Sequence, residues 1–418
     1  MTGGRAPTVT RAETRTVGGV FVAYGAMFFD RLAPLYLVTL IATDLGVPAA
    51  REGSLALLVG LGWALAMPLI RATSGRFDDR RRLATALVLS GVVSIASAGA
   101  GGWVLFVALR GLGGLAAASG APSATALVFA IAPVQRRGRD IGLMHSSTRI
   151  MGSLLSPVVV TAVAVTAGWR PALLVSGVIA VLGAGWLLLV VPADRPEPGP
   201  RAASTGPVPA AYELQPGGAR DLVICTVACV LLLTWLTVWS QSAVEMLRTW
   251  LAVDAAAAGR LVGWFGLGSA MGALGIPPLS DRIGRRAALS LASGVGGAGG
   301  VLVGLAAATE TVLPAVVLVG LVTIAGSTMG GLPLVIAIIP AESVRRGDVG
   351  RALTGPIAGG EVLGAAGLPA LAAVLAVGTG RAWVVAMAAG GVLVLAGLSW
   401  ALHTRDAPRA DVRAPAGP

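Results

Sequence analysis

The chain has 418 residues, 55% of them hydrophobic and 12% charged, with a mean hydropathy of +0.82. These values exclude an ordinary soluble enzyme and fit a polytopic helical membrane protein. The net charge of +11 comes from 31 basic residues, all arginine, against 20 acids; the arginines cluster in short connections, the positive-inside signal of a membrane chain rather than a nucleic-acid surface.

In chain order, residues 1–16 have no separate apolar core or cleavage site and are predicted to form a cytoplasmic tail. Apolar runs then predict twelve membrane helices at roughly 17–41, 53–72, 84–100, 102–131, 139–166, 170–192, 221–248, 257–278, 287–308, 312–340, 350–377 and 381–403. Residues 17–192 and 221–403 are thus expected to form two six-helix bundles. Between them, 193–220 contains Asp-Arg-Pro-Glu-Pro-Gly-Pro and reads as a cytoplasmic linker, and 404–418 as a second tail. Arginine clusters such as Arg80–Arg82, Arg136–Arg137 and Arg285–Arg286 fall in even-numbered connections, which places both ends in the cytoplasm of a bacterial plasma membrane. The only cysteines, Cys225 and Cys229, are one helical turn apart and read as packing residues.

The first span carries Asp30 and Arg31 near its centre, where each charge costs about 2.5–3.5 kcal/mol on insertion scales. Such a pair is tolerated when it faces protein or a water-filled cavity. Other mid-membrane ionisable groups are Arg110, Arg149 and Glu361 in the fourth, fifth and eleventh spans, while the third, sixth, ninth and twelfth have none in their interiors.

The halves are internally related. Adding 212 to the residue number lays the fifth span on the eleventh, so that Arg139 meets Arg351, Gly152 meets Gly364 and Pro157 meets Pro369. Two connections also carry related motifs: Gly75-Arg76-Phe77-Asp78-Asp79-Arg80 after the second span, and Asp281-Arg282-Ile283-Gly284-Arg285-Arg286 after the eighth. These resemble the loop signature of the major facilitator superfamily. The resemblance implies an all-α fold of twelve helices in two pseudo-symmetric bundles, with a site between them at mid-membrane. It also implies a cytoplasmic latch built from Gly75, Asp79, Arg80, Asp281, Arg282, Gly284 and Arg285.

Further matches are Arg110 with Gly114, similar to the fourth-span pattern of proton-coupled members, and Gly168-Trp169-Arg170 at the start of the sixth span. The Asp30-Arg31 pair followed by Asp44-Leu45-Gly46 resembles the anion:cation symporter branch. That branch usually has a glutamate where this chain has Ala117. Gly152 to Pro157 resembles the fifth-span glycine–proline motif of antiporters, with Ser156 where that motif has a glycine.

Three buried arginines against two buried acids leave one positive charge, which an anion would balance. Planar guanidinium forks suit a carboxylate or similar oxyanion. The predicted substrate site comprises Arg31, Arg110, Arg149, Tyr24, His145, Gln241 and Trp239. Asp30 and Glu361 are the candidate proton carriers, because desolvation raises a carboxyl pKa until an arginine or substrate lowers it. Arg149 and Glu361, equivalent under the repeat, are expected to form a charge pair or a jointly bound site across the cavity, and Arg110 to pair with Asp30.

The expected function is secondary active transport by alternating access: proton-coupled movement of a small organic anion, or alternatively proton-driven efflux of a drug-like compound or metabolite. The expected partners are the substrate, protons and the bilayer, with the chain as a monomer. The sequence shows no nucleophile–base set, phosphate loop or metal cluster, so no enzyme activity, cofactor or metal is expected. His145 can equally be a packing residue, and the intramembrane serines and threonines are expected to bond their own helix carbonyls.

Overall fold

The structure, a computed structural model, describes residues 10–48, 51–73, 78–132, 137–192, 214–344, 354–374 and 380–403. Gly75, Arg136, Arg351, most of the expected linker and most of both tails lie outside them.

The first helix, α1 (Arg11–Tyr36), starts at a capping box in which the Thr10 hydroxyl accepts from the Glu13 amide at 3.1 Å and Glu13 answers to the Thr10 amide. Pro34 lies inside it and cannot donate to the carbonyl of Asp30, one turn back. The helix ends two residues later and bends by 51° into α2 (Val38–Asp44). Then follow α3 (Gly53–Thr73), α4 (Asp79–Ala98), α5 (Trp103–Ala117) and α6 (Gly120–Ile131), the last two separated by a break ahead of Pro122. The fifth expected span is three pieces: α7 (Arg137–Ser147), a π-helical stretch Thr148–Leu155, and α8 (Ser156–Ala167). Pro157 removes the amide that would bond Ser153 in α-geometry, a local reason for the wider turn. After α9 (Trp169–Val190) and the undescribed linker come α10 (Gly218–Leu251), α11 (Ala255–Ile283), α12 (Arg285–Ala308) and α13 (Ala315–Ser327). A 3₁₀ turn Thr328–Gly331 and a π turn Leu334–Ile338 around Pro333 lead into α14 (Ile339–Glu342), followed by α15 (Thr354–Val374) and α16 (Arg381–Leu398).

Among the described residues, eight helical spans are long and apolar enough to cross a membrane, and the bent pair α1–α2 makes a ninth. Helices α3, α11 and α15 lie where the other three spans are expected. Breaks in the fourth and tenth expected spans, at Ala118–Ser119 and Thr328–Gly331, coincide under the 212-residue shift.

Helices α1–α9 pack mainly on one another, as do α10–α16. Two seams join the sets: α3 lies against α15, and the π-stretch with α7 and α8 lies against α11. The second seam is close because α11 presents Gly259, Gly263 and Gly266 to it. A Cβ on Gly266 would run into the backbone of Ser153 and Leu154. Between the seams α1 meets α10, and there the polar groups converge.

Candidate functional site

Asp30 is fully buried and caged by serines. Its carboxylate accepts from Ser90 Oγ at 2.6 Å, from Ser176 Oγ at 3.0 Å and from Ser94 Oγ. Arg110 donates to Ser94 Oγ and, at 3.4 Å, to the Asp30 carbonyl that Pro34 leaves free. The expected Asp30–Arg110 partnership therefore runs through a shared hydroxyl and the backbone. It lies between α1, α4, α5 and α9, inside one half.

Arg31 points the other way. Its guanidinium makes a two-pronged pair with Glu361 of α15, Nη1 to Oε1 at 3.3 Å and Nη2 to Oε2. The cation rests 4.1 Å from the Trp63 ring centre and 5.4 Å from Phe28, a cation–π setting. Tyr24 packs edge-on to both Phe28 (5.2 Å) and His145 (5.9 Å). His145 is half-buried.

The pair across the halves is thus Arg31–Glu361, which corrects the Arg149–Glu361 pairing expected from the repeat. Repeat-equivalent positions sit on different seams: Arg149 is on the π-stretch against α11, whereas Glu361 is on α15 against α3. Trp63 of α3 brings Arg31 to Glu361 instead. Trp63 was not among the predicted site residues; a lone tryptophan in an apolar span gives no signal beyond core packing.

Arg149 is 6% exposed and has no carboxylate bonded to it among the described residues. Tyr24, Tyr36, Arg31 and Glu361 are close enough to act on it electrostatically, with His145 one turn away on its own segment. Of the other predicted residues, Gln241 is buried with neither end of its amide hydrogen-bonded, and Trp239 stacks on Phe265 at 4.8 Å with its indole N–H unmet. Trp239 therefore belongs to an aromatic core with Trp235, whose Nε1 donates to Thr328 at 3.1 Å.

At the chain-termini face, the second loop motif has Gly284 at φ +91°, a turn that glycine makes without strain. Arg285 pairs with Asp281 at 2.7 Å and Glu342 at 3.0 Å, all on one half, and Arg282 is exposed. In the first motif Arg80 donates to the Leu188 carbonyl, also on its own half, and Asp79 starts α4 beside the cap residue Asp78. At the opposite face the halves are tied directly: both Glu52 oxygens accept from Arg381 Nη2 at 3.0 Å, and Thr39 Oγ1 donates to Glu52 at 3.3 Å. No sequence signal marked Glu52, which read as one acid in a short loop.

A sequence profile of the Major Facilitator Superfamily matches residues 17–251, more than half of the chain. The chain belongs to that superfamily. Over 181 residues it is 28% identical to a probable sulfoacetate transporter, SauU, of Cupriavidus necator, covering 43% of this chain and 41% of that protein. Over 200 residues it is 28% identical to a chloramphenicol resistance protein of Streptomyces lividans, covering 46% and 48%. The matched segments thus span less than half of either relative. Among solved structures, the nucleoside transporter NupG superposes with a TM-score of 0.69 at 13% identity, covering 93% of this chain and all of the other. The human organic anion transporter MFSD10 (TETRAN) gives 0.63 at 18% identity, covering 93% and 99%. The likenesses to solved structures show the fold alone, the paired bundles of apolar helices that the superfamily has.

Proposed function

We propose that the protein moves a small organic anion across the bacterial plasma membrane by alternating access, coupled to protons. The observation that carries this reading is Arg149: a guanidinium buried where the two halves meet, with no carboxylate bonded to it among the described residues. Asp30 is shared with Arg110, and Glu361 is held by Arg31. An arriving anion has one cation left to pair with, and its charge also weakens the nearby Arg31–Glu361 pair. Glu361, rather than the caged Asp30, is the proton carrier in this scheme. It faces the region between the halves, and protonating it releases Arg31. The resemblance to a probable sulfoacetate transporter supports an anionic substrate.

The arginine clusters support cytoplasmic termini, and the two contact-rich sets of helices support bundles at 17–192 and 221–403 joined by a linker at 193–220. A monomer needs no residue from another chain to complete this site.

Drug efflux is a second reading, favoured by the chloramphenicol resistance relative and by the aromatic wall of Tyr24, Phe28 and Trp63. Charge movement by purified protein in supported membranes separates the two. Short organic anions applied under a proton gradient should give currents in wild type that Arg149→Ala abolishes and Glu361→Gln makes independent of pH. Currents from lipophilic compounds alone, unchanged in Arg149→Ala, would establish the efflux reading instead.

A further inference from the structure

The charges where the halves meet are divided unevenly between them. Arg31 of α1 and Arg149 of the π-stretch both belong to the set α1–α9, while Glu361 comes from the other set. Two contacts hold the π-stretch alongside α1 on either side of Arg149. His145, one turn before it, meets the Tyr24 ring at 5.9 Å. Gly152, three residues after it, lies so close to α1 that a Cβ there would stand 3.1 Å from the Phe28 carbonyl oxygen. Arg31 follows Phe28 by about one turn of the same helix, and the two guanidiniums are near enough to act on each other electrostatically.

Arg31 is also held independently of its carboxylate. Its cation lies over Trp63 of α3 and beside Phe28, and both rings belong to its own half. When Glu361 is protonated, or withdraws with its own half, those rings keep the guanidinium in place. Asp30 does not offset it, because that carboxylate is turned into the serine cage and matched by Arg110. Charge counting then links substrate to proton. With Glu361 ionised, Arg31, Arg149 and Glu361 sum to one positive charge, and a monoanion neutralises them. With Glu361 protonated the sum is two, and a monoanion leaves a buried cation uncompensated, which is costly. A dianion neutralises the protonated site and overfills the ionised one.

Resting on the anion-transport reading, we propose that the coupled substrate is a small dianion, with one anionic group on Arg149 and the other taking the place of Glu361 on Arg31. The substrate's second charge is what brings the proton: a dianion binds with Glu361 protonated, and a monoanion binds with Glu361 ionised. Among the described residues, the charged or titratable groups that face Glu361 are Arg31 and Tyr24 of α1, Arg149 of the π-stretch and Cys229 of α10, while α3 brings the uncharged Trp63. A thiol and a phenol are both neutral near pH 7, so the arginines set the charge that Glu361 balances. Protonating His145, beside Arg149, would also add a positive charge, and substitution of Glu361 distinguishes the two.

The test is proton uptake on binding, measured with the purified full-length protein by calorimetry in buffers of different ionisation heat. Two matched pairs of probes serve: butyrate with succinate, and propanesulfonate with ethane-1,2-disulfonate. All four are fully ionised between about pH 7 and 8, so any proton taken up goes to the protein. The dianion of at least one pair should take up about one proton per molecule bound, its affinity rising about tenfold for each unit the pH falls. Its monoanion partner should take up none and keep its affinity within about twofold over that range. In Glu361→Gln the dianion should bind without proton uptake, at an affinity independent of pH, and the monoanion about tenfold or more weakly. Should that variant fail to fold, the wild-type comparison decides alone. Equal proton uptake for dianion and monoanion, binding of monoanions only, or undiminished uptake in Glu361→Gln overturns the dianion proposal and leaves the anion reading in place. Binding of none of the four overturns the anion reading itself, and the proposal with it.

Discussion

Asp30 and Arg31 are adjacent in sequence but do different work because neighbouring residues on a helix face different ways. Asp30 turns into its own half, where three serine hydroxyls and, through Ser94, Arg110 hold it. Arg31 turns to the gap between halves and takes Glu361. The sequence placed the acid away from lipid, but the serines around it were not legible. A serine in a membrane helix most often bonds its own backbone, as Ser97 does to Val93 at 2.7 Å. Only the fold brings Ser90, Ser94 and Ser176 to one carboxylate. Removing Asp30 strands Arg110, and breaking a buried charge arrangement by deleting one member typically costs about 3–5 kcal/mol. Asp30→Ala should therefore lower the thermal midpoint of the purified protein markedly, and Ser94→Ala should lower it less, since it removes the two hydrogen bonds of the bridging hydroxyl but leaves both charges in place, a cost of about 1–3 kcal/mol. An unchanged midpoint in Asp30→Ala would show that the cage contributes nothing to stability.

At the scale of elements, helix existence was plain from apolar length, and the breaks follow from proline. Pro34, Pro122, Pro157 and Pro333 each sit within three residues of a bend, a gap or a π turn. What the sequence could not supply was which helix meets which. The 212-residue repeat equates Arg149 with Glu361, yet equivalence under a pseudo-twofold also puts the two on separate seams. Their contact was therefore misread, whereas the closeness of the glycine-lined seam needed coordinates to see. That closeness is testable. At Gly266 an added methyl meets the Ser153–Leu154 backbone, which cannot move aside as a flexible side chain would, while at Gly320 it meets nothing within 4 Å. Gly266→Ala should cost about 1–3 kcal/mol by overpacking, and Gly320→Ala should stay within about 0.5 kcal/mol of wild type. Equal thermal shifts for the two variants would show that the seam yields freely.

The whole molecule alternates only if contacts between its halves can be made and broken, and among the described residues two ion pairs cross the gap: Arg31–Glu361 at mid-membrane and Glu52–Arg381 at the face away from the termini. The second gives that face a pH dependence whose sign is fixed by Glu52. Burial holds its carboxyl above the ordinary value of 4.5; Arg381 and Thr39 pull it back, and Glu245 pushes it up further. When the halves part here, Glu52 meets water and returns to its ordinary value. The closed arrangement thus has the greater proton affinity, so acid favours closure. That preference is fully present below the ordinary value and is lost as pH rises through the raised one. Breaking the pair by protonation would suggest the opposite sign, but burial outweighs Arg381 at this carboxylate. A cysteine replacing Leu40, which lines a cleft there and is 36% exposed, reports the opening, since Cys225 and Cys229 are buried. In a Glu361→Gln background, so that the mid-membrane carboxylate is silent, its labelling rate should climb as pH rises above about 4.5. Adding Glu52→Gln should flatten the profile, because the closed and open states then bind protons equally at this site. Arg381→Ala should instead steepen it, since the counter-charge that draws the carboxyl back down is gone. Labelling that slows with rising pH, or that keeps its slope in Glu52→Gln, would refute a proton-biased closure at this face.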